Sequence, residues 1–134
     1  MEVSVGVLFQ WQDNVVWDPS PRIARLFVSQ VRALEKAVET QSGIGDVVAD
    51  EVMVDPVLLG VFILVLVREL DSEGKETSKS LMGGVFAVAY GILVACAPEV
   101  ATLMGKDTKR LARRGEVLVS GKYRVGPIYE GLFD

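Results

Sequence analysis

The sequence predicts an α+β fold: a small antiparallel sheet, made by an N-terminal strand and a C-terminal hairpin, packed with three to four helices, one of them apolar and central. Three observations carry this. Apolar side chains alternate over residues 3–11. They recur at helical spacing over 23–38. Two runs without a charge, 57–67 and 81–97, lie between charged or proline-bearing breaks. A chain of 134 residues has the size of a single compact domain, 1–134. It can bury roughly two thirds of its unfolded surface without a disulfide or a metal.

The first element is a strand. Val3, Val5, Val7, Phe9 and Trp11 alternate with Glu2, Ser4, Gly6, Gln10 and Gln12, and Leu8 is the one exception. A period of two means one buried face. Asp13 to Pro21 is expected as a loop, because Pro19 and Pro21 stop a strand from continuing. Trp17 with Val15 and Val16 makes this loop apolar, so it either folds back on the core or meets a partner.

A helix follows. Ser20 suits its N-cap and Pro21 its first position. Ile23, Leu26, Phe27, Val31, Leu34 and Val38 fall on one side; Arg25, Ser29, Arg32, Lys36 and Glu39 fall on the other. It should end near Gln41, stopped by Ser42-Gly43 and Gly45. Asp46 to Val54 is open: its valines favour a strand, its carboxylate spacing a helix. Asp55-Pro56 reads as a cap and a first helical residue. The run Val57 to Val67 is then expected as a helix apolar on every side, although its β-branched content would also suit a buried strand.

Asp71 to Lys79 is expected as a charged loop around Gly74, and Ser80 opens the next apolar helix, Leu81 to Ala97. Pro98 bends or restarts it. A further helix should run to Arg114, with Gly105 able to break it. The end suits a hairpin: Val117 and Val119, a turn at Ser120-Gly121, then Tyr123 and Val125. Ile128, Tyr129, Leu132 and Phe133 form an apolar tail.

Composition excludes more function than it suggests. The chain has no histidine. That removes the usual general acid/base, Ser-His-Asp and Cys-His chemistry, and zinc sites built from Cys and His. Carboxylates, Tyr, Lys or Ser would have to carry any reaction, so an enzyme is not expected. No phosphate-cradling glycine loop is present: Ser42-Gly43-Ile44-Gly45 is short and lacks the lysine. Cys96 is the single cysteine. It lies in an apolar run, which suits a buried and inert thiol and a reducing compartment. No secretory pattern follows Met1, and the expectation is a cytoplasmic protein. The abundance of Val, Leu, Ala and Gly with few Asn, Gln or Cys would suit a heat-resistant one.

Charge is polarised. Residues 105–126 hold seven basic side chains against Asp107 and Glu116, a net +5; the whole chain is −4, so the rest carries −9. Lys106, Lys109, Arg110, Arg113 and Arg114 share one face if helical, and Lys122 and Arg124 follow. They read as a solvated face, as a contact for the acidic surface of another subunit, or as a polyanion site. No aromatic side chain interleaves Lys106 to Arg114, as a stacking reader of single strands would need. Gly83, Ala87, Gly91 and Ala95 recur every four residues, a small-residue stripe that lets another backbone approach. Asp46, Asp50, Glu51 and Asp55 could hold a hard cation, but they match no calcium-loop spacing, and a solvated acidic face is the expectation. No cofactor or metal is expected.

The 17 residues 81–97 reach the lower edge of what spans a bilayer, and the basic run after them resembles a cytoplasmic flank. Pro98 and Glu99 cut the segment short, and a globular interior accounts for it with fewer assumptions. The expected function is therefore non-enzymatic: a subunit of a homo-oligomer or larger assembly of the virion kind, with candidate contacts at Gly83, Ala87, Gly91, Ala95, Trp17 and Phe133. The alternatives are a nucleic-acid or polyanion-binding module using the basic face 106–114, and a membrane-anchored protein using 81–97.

Overall fold

The computed structural model describes residues 6–70 and 76–104, with residue 70 and residues 76–80 by backbone alone. The chain is α+β. In order come β1 (Leu8–Trp11), β2 (Asn14–Trp17), α1 (Pro21–Val38), β3 (Glu51–Met53), α2 (Pro56–Leu70), α3 (Glu76–Cys96) and α4 (Pro98–Thr102). The sheet order is β2-β1-β3. β1 pairs antiparallel with β2 and parallel with β3. The described sheet is thus mixed rather than antiparallel, and both neighbours of β1 come from the first half of the chain. The expected C-terminal hairpin lies outside the described residues.

The first correction is at 13–21. Residues 14–17 are not loop but strand. Gln12 and Asp13 both take positive φ, 50° and 67°. Two such residues make the tight turn whose twist matches that of the flanking strands. Trp11 then faces Asn14, and Gln10 faces Val15. The prolines stop the strand only after Trp17, where Val7 N–H donates to the Pro19 carbonyl at 2.9 Å.

A second tight turn decides the open region. Ala49 and Asp50 also have positive φ, and Val48 and Glu51 exchange backbone hydrogen bonds of 2.9 and 3.0 Å across them. The chain then runs out as β3, where Phe9 pairs with Val52 and Gln10 with Met53. A parallel pair needs a crossover, and α1 supplies it.

α1 begins as expected: the Ser20 hydroxyl accepts from Ile23 N–H at 3.3 Å, with Pro21 at the first position. Its end differs. Glu39, not a glycine, takes the left-handed C-cap (φ 53°). The buried stripe is Ala24, Phe27 and Val31, while Ile23 and Leu26 stay exposed. The Val57–Val67 run is helical, and the Asp55 carboxylate Oδ1 accepts from Val57 and Leu58 N–H at 3.0 and 3.1 Å. α3 starts at Glu76 rather than at Ser80. Residues 76–80 are thus helix, with Glu76 and Lys79 as its good helix formers; the rest of the expected charged loop, 71–75, lies outside the described residues.

The core joins sheet and helices. Phe9 is fully buried in the sheet face and meets Trp17 at 4.9 Å and Phe27 at 5.9 Å between ring centroids; Trp17 and Phe27 meet edge-on at 5.4 Å. Leu59, Phe62, Ile63 and Leu66 of α2 continue it toward Phe86, Tyr90 and Leu93 of α3. Truncating a buried phenylalanine costs about 3–5 kcal/mol. Phe9→Ala should lose that much in urea denaturation, with the Trp17 emission shifting as its ring partner goes.

Candidate functional site

Two surfaces stand out. The first is a groove of about 610 Å³ beside the short hairpin around residues 48–51. Trp11, Ile44, Met53 and Leu58 supply its apolar lining; Arg32, Glu35, Asp46 and Asp55 supply the charge.

Its wall is pinned to α1. Glu35 Oε2 accepts from the Ser42 N–H at 2.8 Å and from the Ser42 hydroxyl at 2.6 Å. Ser42 is fully buried, and its Oγ in turn accepts from Ile44 N–H at 3.0 Å. Arg32 bridges Glu35 at 3.1 Å and Asp46 at 2.9 Å. Partial burial works against the charge on Arg32, but Asp46 and Glu35 outweigh it and hold its pKa above the ordinary value. Gly43 turns the wall with φ +79°, and a Cβ there would come within 2.5 Å of the Asp55 carbonyl. The wall of the groove is therefore tied to α1 through Ser42 and Asp46. The one hydroxyl–carboxylate pair at this wall, Ser42 with Glu35, is closed off from solvent at the serine, and among the described residues no three carboxylates or thiols gather as a metal site.

The second surface is the outer arc of α2. Its inner arc (Leu59, Phe62, Ile63, Leu66) is fully buried, yet Val57, Leu58, Val61 and Leu64 are exposed, from 39% at Leu58 to 67% at Val57. A helix that is apolar all round normally has both sides covered. Leu58 lies in both surfaces, so arc and groove are continuous. The all-round apolar run was legible in the sequence; the exposed half was not, because a periodic pattern cannot say that only one side finds a neighbour.

The small-residue stripe does not stay on one face. Ala87 and Gly91 are buried inside the domain, Gly83 is half-buried and Ala95 is exposed. Four residues turn a helix by about 400°, so the stripe winds from surface to core and out again. A Cβ at Gly83 would meet nothing within 4 Å. Trp17 packs on Phe9 and Phe27, so the residue singled out as a loop anchor folds back on its own domain. Phe133, Lys106, Lys109, Arg110, Arg113, Arg114, Lys122 and Arg124 lie outside the described residues. Among the described residues no helix is long and apolar enough to cross a membrane.

Cys96 is half-buried, and burial raises its thiol pKa to about 11, with Glu99 adding to the effect. The thiolate is the reactive form, so about one molecule in a thousand carries it at pH 8.

The model of a family of unknown function (DUF6086) matches residues 5–120, and the chain belongs to that family. No curated protein and no solved structure matches the chain.

Two outcomes follow from this geometry. Ser42→Ala would orphan the buried Ile44 N–H and loosen the Glu35 pin, and should cost about 1–3 kcal/mol in denaturant melts. Alkylation of Cys96 by iodoacetamide should be far slower than that of free glutathione at pH 8, and should accelerate as pH rises toward 11.

Proposed function

We propose that this member of the family is a non-enzymatic assembly subunit that joins another protein chain through the outer arc of α2. The observation that carries the reading is the exposure of Val57, Leu58, Val61 and Leu64 on a helix whose other half lies in the core. Burying such side chains gains roughly 25 cal/mol per Å², and contiguous apolar surface of this kind marks contact sites on folded proteins. The groove adds polar groups at one edge of the arc, the arrangement of an apolar centre with a charged rim that protein interfaces use. The absence of histidine from the chain and the inert setting of Cys96 support a role without chemistry. An unpaired thiol also fits a reducing, cytoplasmic setting.

Light scattering behind a sizing column tests this. The wild-type chain should run as a defined multiple of 14.6 kDa. Val61→Glu and Leu64→Glu should each bring the mass down to the monomer while the circular dichroism spectrum is unchanged. A wild-type monomer that captures no partner chain sinks the reading. A multimer indifferent to both substitutions moves the contact away from α2.

A further inference from the structure

We propose that the groove beside Met53 and Leu58 receives the basic C-terminal segment, residues 105–126, of a second copy of this chain. The inference rests on the assembly reading above and gives that assembly its second, polar contact. Four observations lead to it.

The groove lies in the acidic part of the molecule. Glu39, Asp46, Asp50, Glu51 and Asp55 are five carboxylates in one stretch, and no Lys or Arg stands between Lys36 and Arg68. Asp46, Asp50, Glu51 and Asp55 are all exposed. Arg32 is the cation in the lining, and it is engaged with Glu35 and Asp46. Complementary charge of this kind orients association and makes it salt-sensitive.

The segment has the matching composition. Residues 105–126 carry a net +5 and intersperse Leu111, Val117, Leu118 and Val119 among the basic residues. The groove offers Trp11, Met53 and Leu58 to such apolar side chains and carboxylates to the charges around them.

The point of departure lies across α2 from the groove. Met104, the last described residue before this segment, packs on α2 at Gly60: a Cβ there would lie 3.1 Å from the Met104 methyl. Leu58, on the groove, is two residues away and so about 200° around the helix. The segment thus starts on the side of α2 turned away from its own groove.

The arc and the groove share Leu58, so a neighbour seated on α2 lies alongside the groove. Donor and acceptor surfaces differ, so two copies can exchange segments reciprocally about a two-fold axis, or the contact runs head-to-tail into a ring or a filament.

Charge exchange in the full-length chain tests the proposal. Lys109→Glu/Arg110→Glu/Arg113→Glu/Arg114→Glu is one variant and Asp46→Lys/Glu51→Lys the other; Asp55 is kept because it caps α2. Each alone should lose the wild-type multimer, and mixing them should restore an assembly, because the acidic segment of one then meets the basic groove of the other. A synthetic peptide of residues 105–126 added in excess to the wild type should also lower its mass, which checks the same contact without a substitution. A multimer unchanged by both reversals and by the peptide overturns this inference while the α2 contact stands; a wild-type monomer overturns the assembly reading itself. Loss of heparin retention on reversal, with no change of mass, would instead assign the basic segment to a polyanion and overturn the proposal.

Discussion

The central strand β1 is only four residues long, and its two neighbours run in opposite directions. One neighbour is reached by a two-residue turn and can only be antiparallel. The other is parallel, and a parallel pair forces the chain to cross from one end of the sheet to the other before pairing. α1 makes that crossing, which lays Phe27 against Phe9 and Trp17. The return path from the end of α1 to β3 then has to run beside β3. There it bridges to the strand through Ile44 and Val54 and is anchored by Glu35 through Ser42. The groove is the space this return path leaves. Its shape is thus a consequence of topology, and its wall is tied to α1 by one buried serine and one glutamate.

The second half of the described chain faces a different problem. α2 and α3 are both apolar on most sides, and they share one seam. Burial in that seam accounts for Leu59, Phe62, Ile63 and Leu66; α3 is covered on nearly every side over residues 85–93, but α2 is covered on one side only. Apolar surface left over in this way is tolerated singly and is costly as a continuous arc. A covering neighbour would resolve it with no change of fold, which is the basis of the proposed contact. The acidic return path and the basic C-terminal composition give the same conclusion an electrostatic direction.

Much of the fold was legible in the residues. The alternation ending at Trp11, the Ser20-Pro21 start of α1 and the Asp55-Pro56 start of α2 all have local causes, and local causes show in sequence. What was missed depends on backbone conformations that the side chains do not advertise. Gln12-Asp13 and Ala49-Asp50 turn with positive φ although neither pair holds a glycine, so β2 read as loop and β3 as undecided. The Glu35–Ser42 contact spans seven residues and a helix end, and no pattern at that spacing predicts it. Of the candidate contacts, the small-residue stripe looked like one face because a four-residue repeat nearly closes on a helix; the drift carries Ala87 into the core and Ala95 out of it.

Among the described residues, five other than glycine occupy left-handed backbone: Gln12, Asp13, Glu39, Ala49 and Asp50. An L side chain in that region costs of order 1 kcal/mol against glycine, least for Asp and most for a residue such as Ala49 with no polar side chain to compensate. The fold therefore holds its tight turns against their own local preference, with the sheet and α1 enforcing them. Such a chain has unused headroom: glycine at Ala49 or Glu39 relieves strain without touching a single packed contact. Natural sequences commonly sit below their stability optimum in this way, and here the margin is concentrated in the bends that draw β1's two neighbours to its sides.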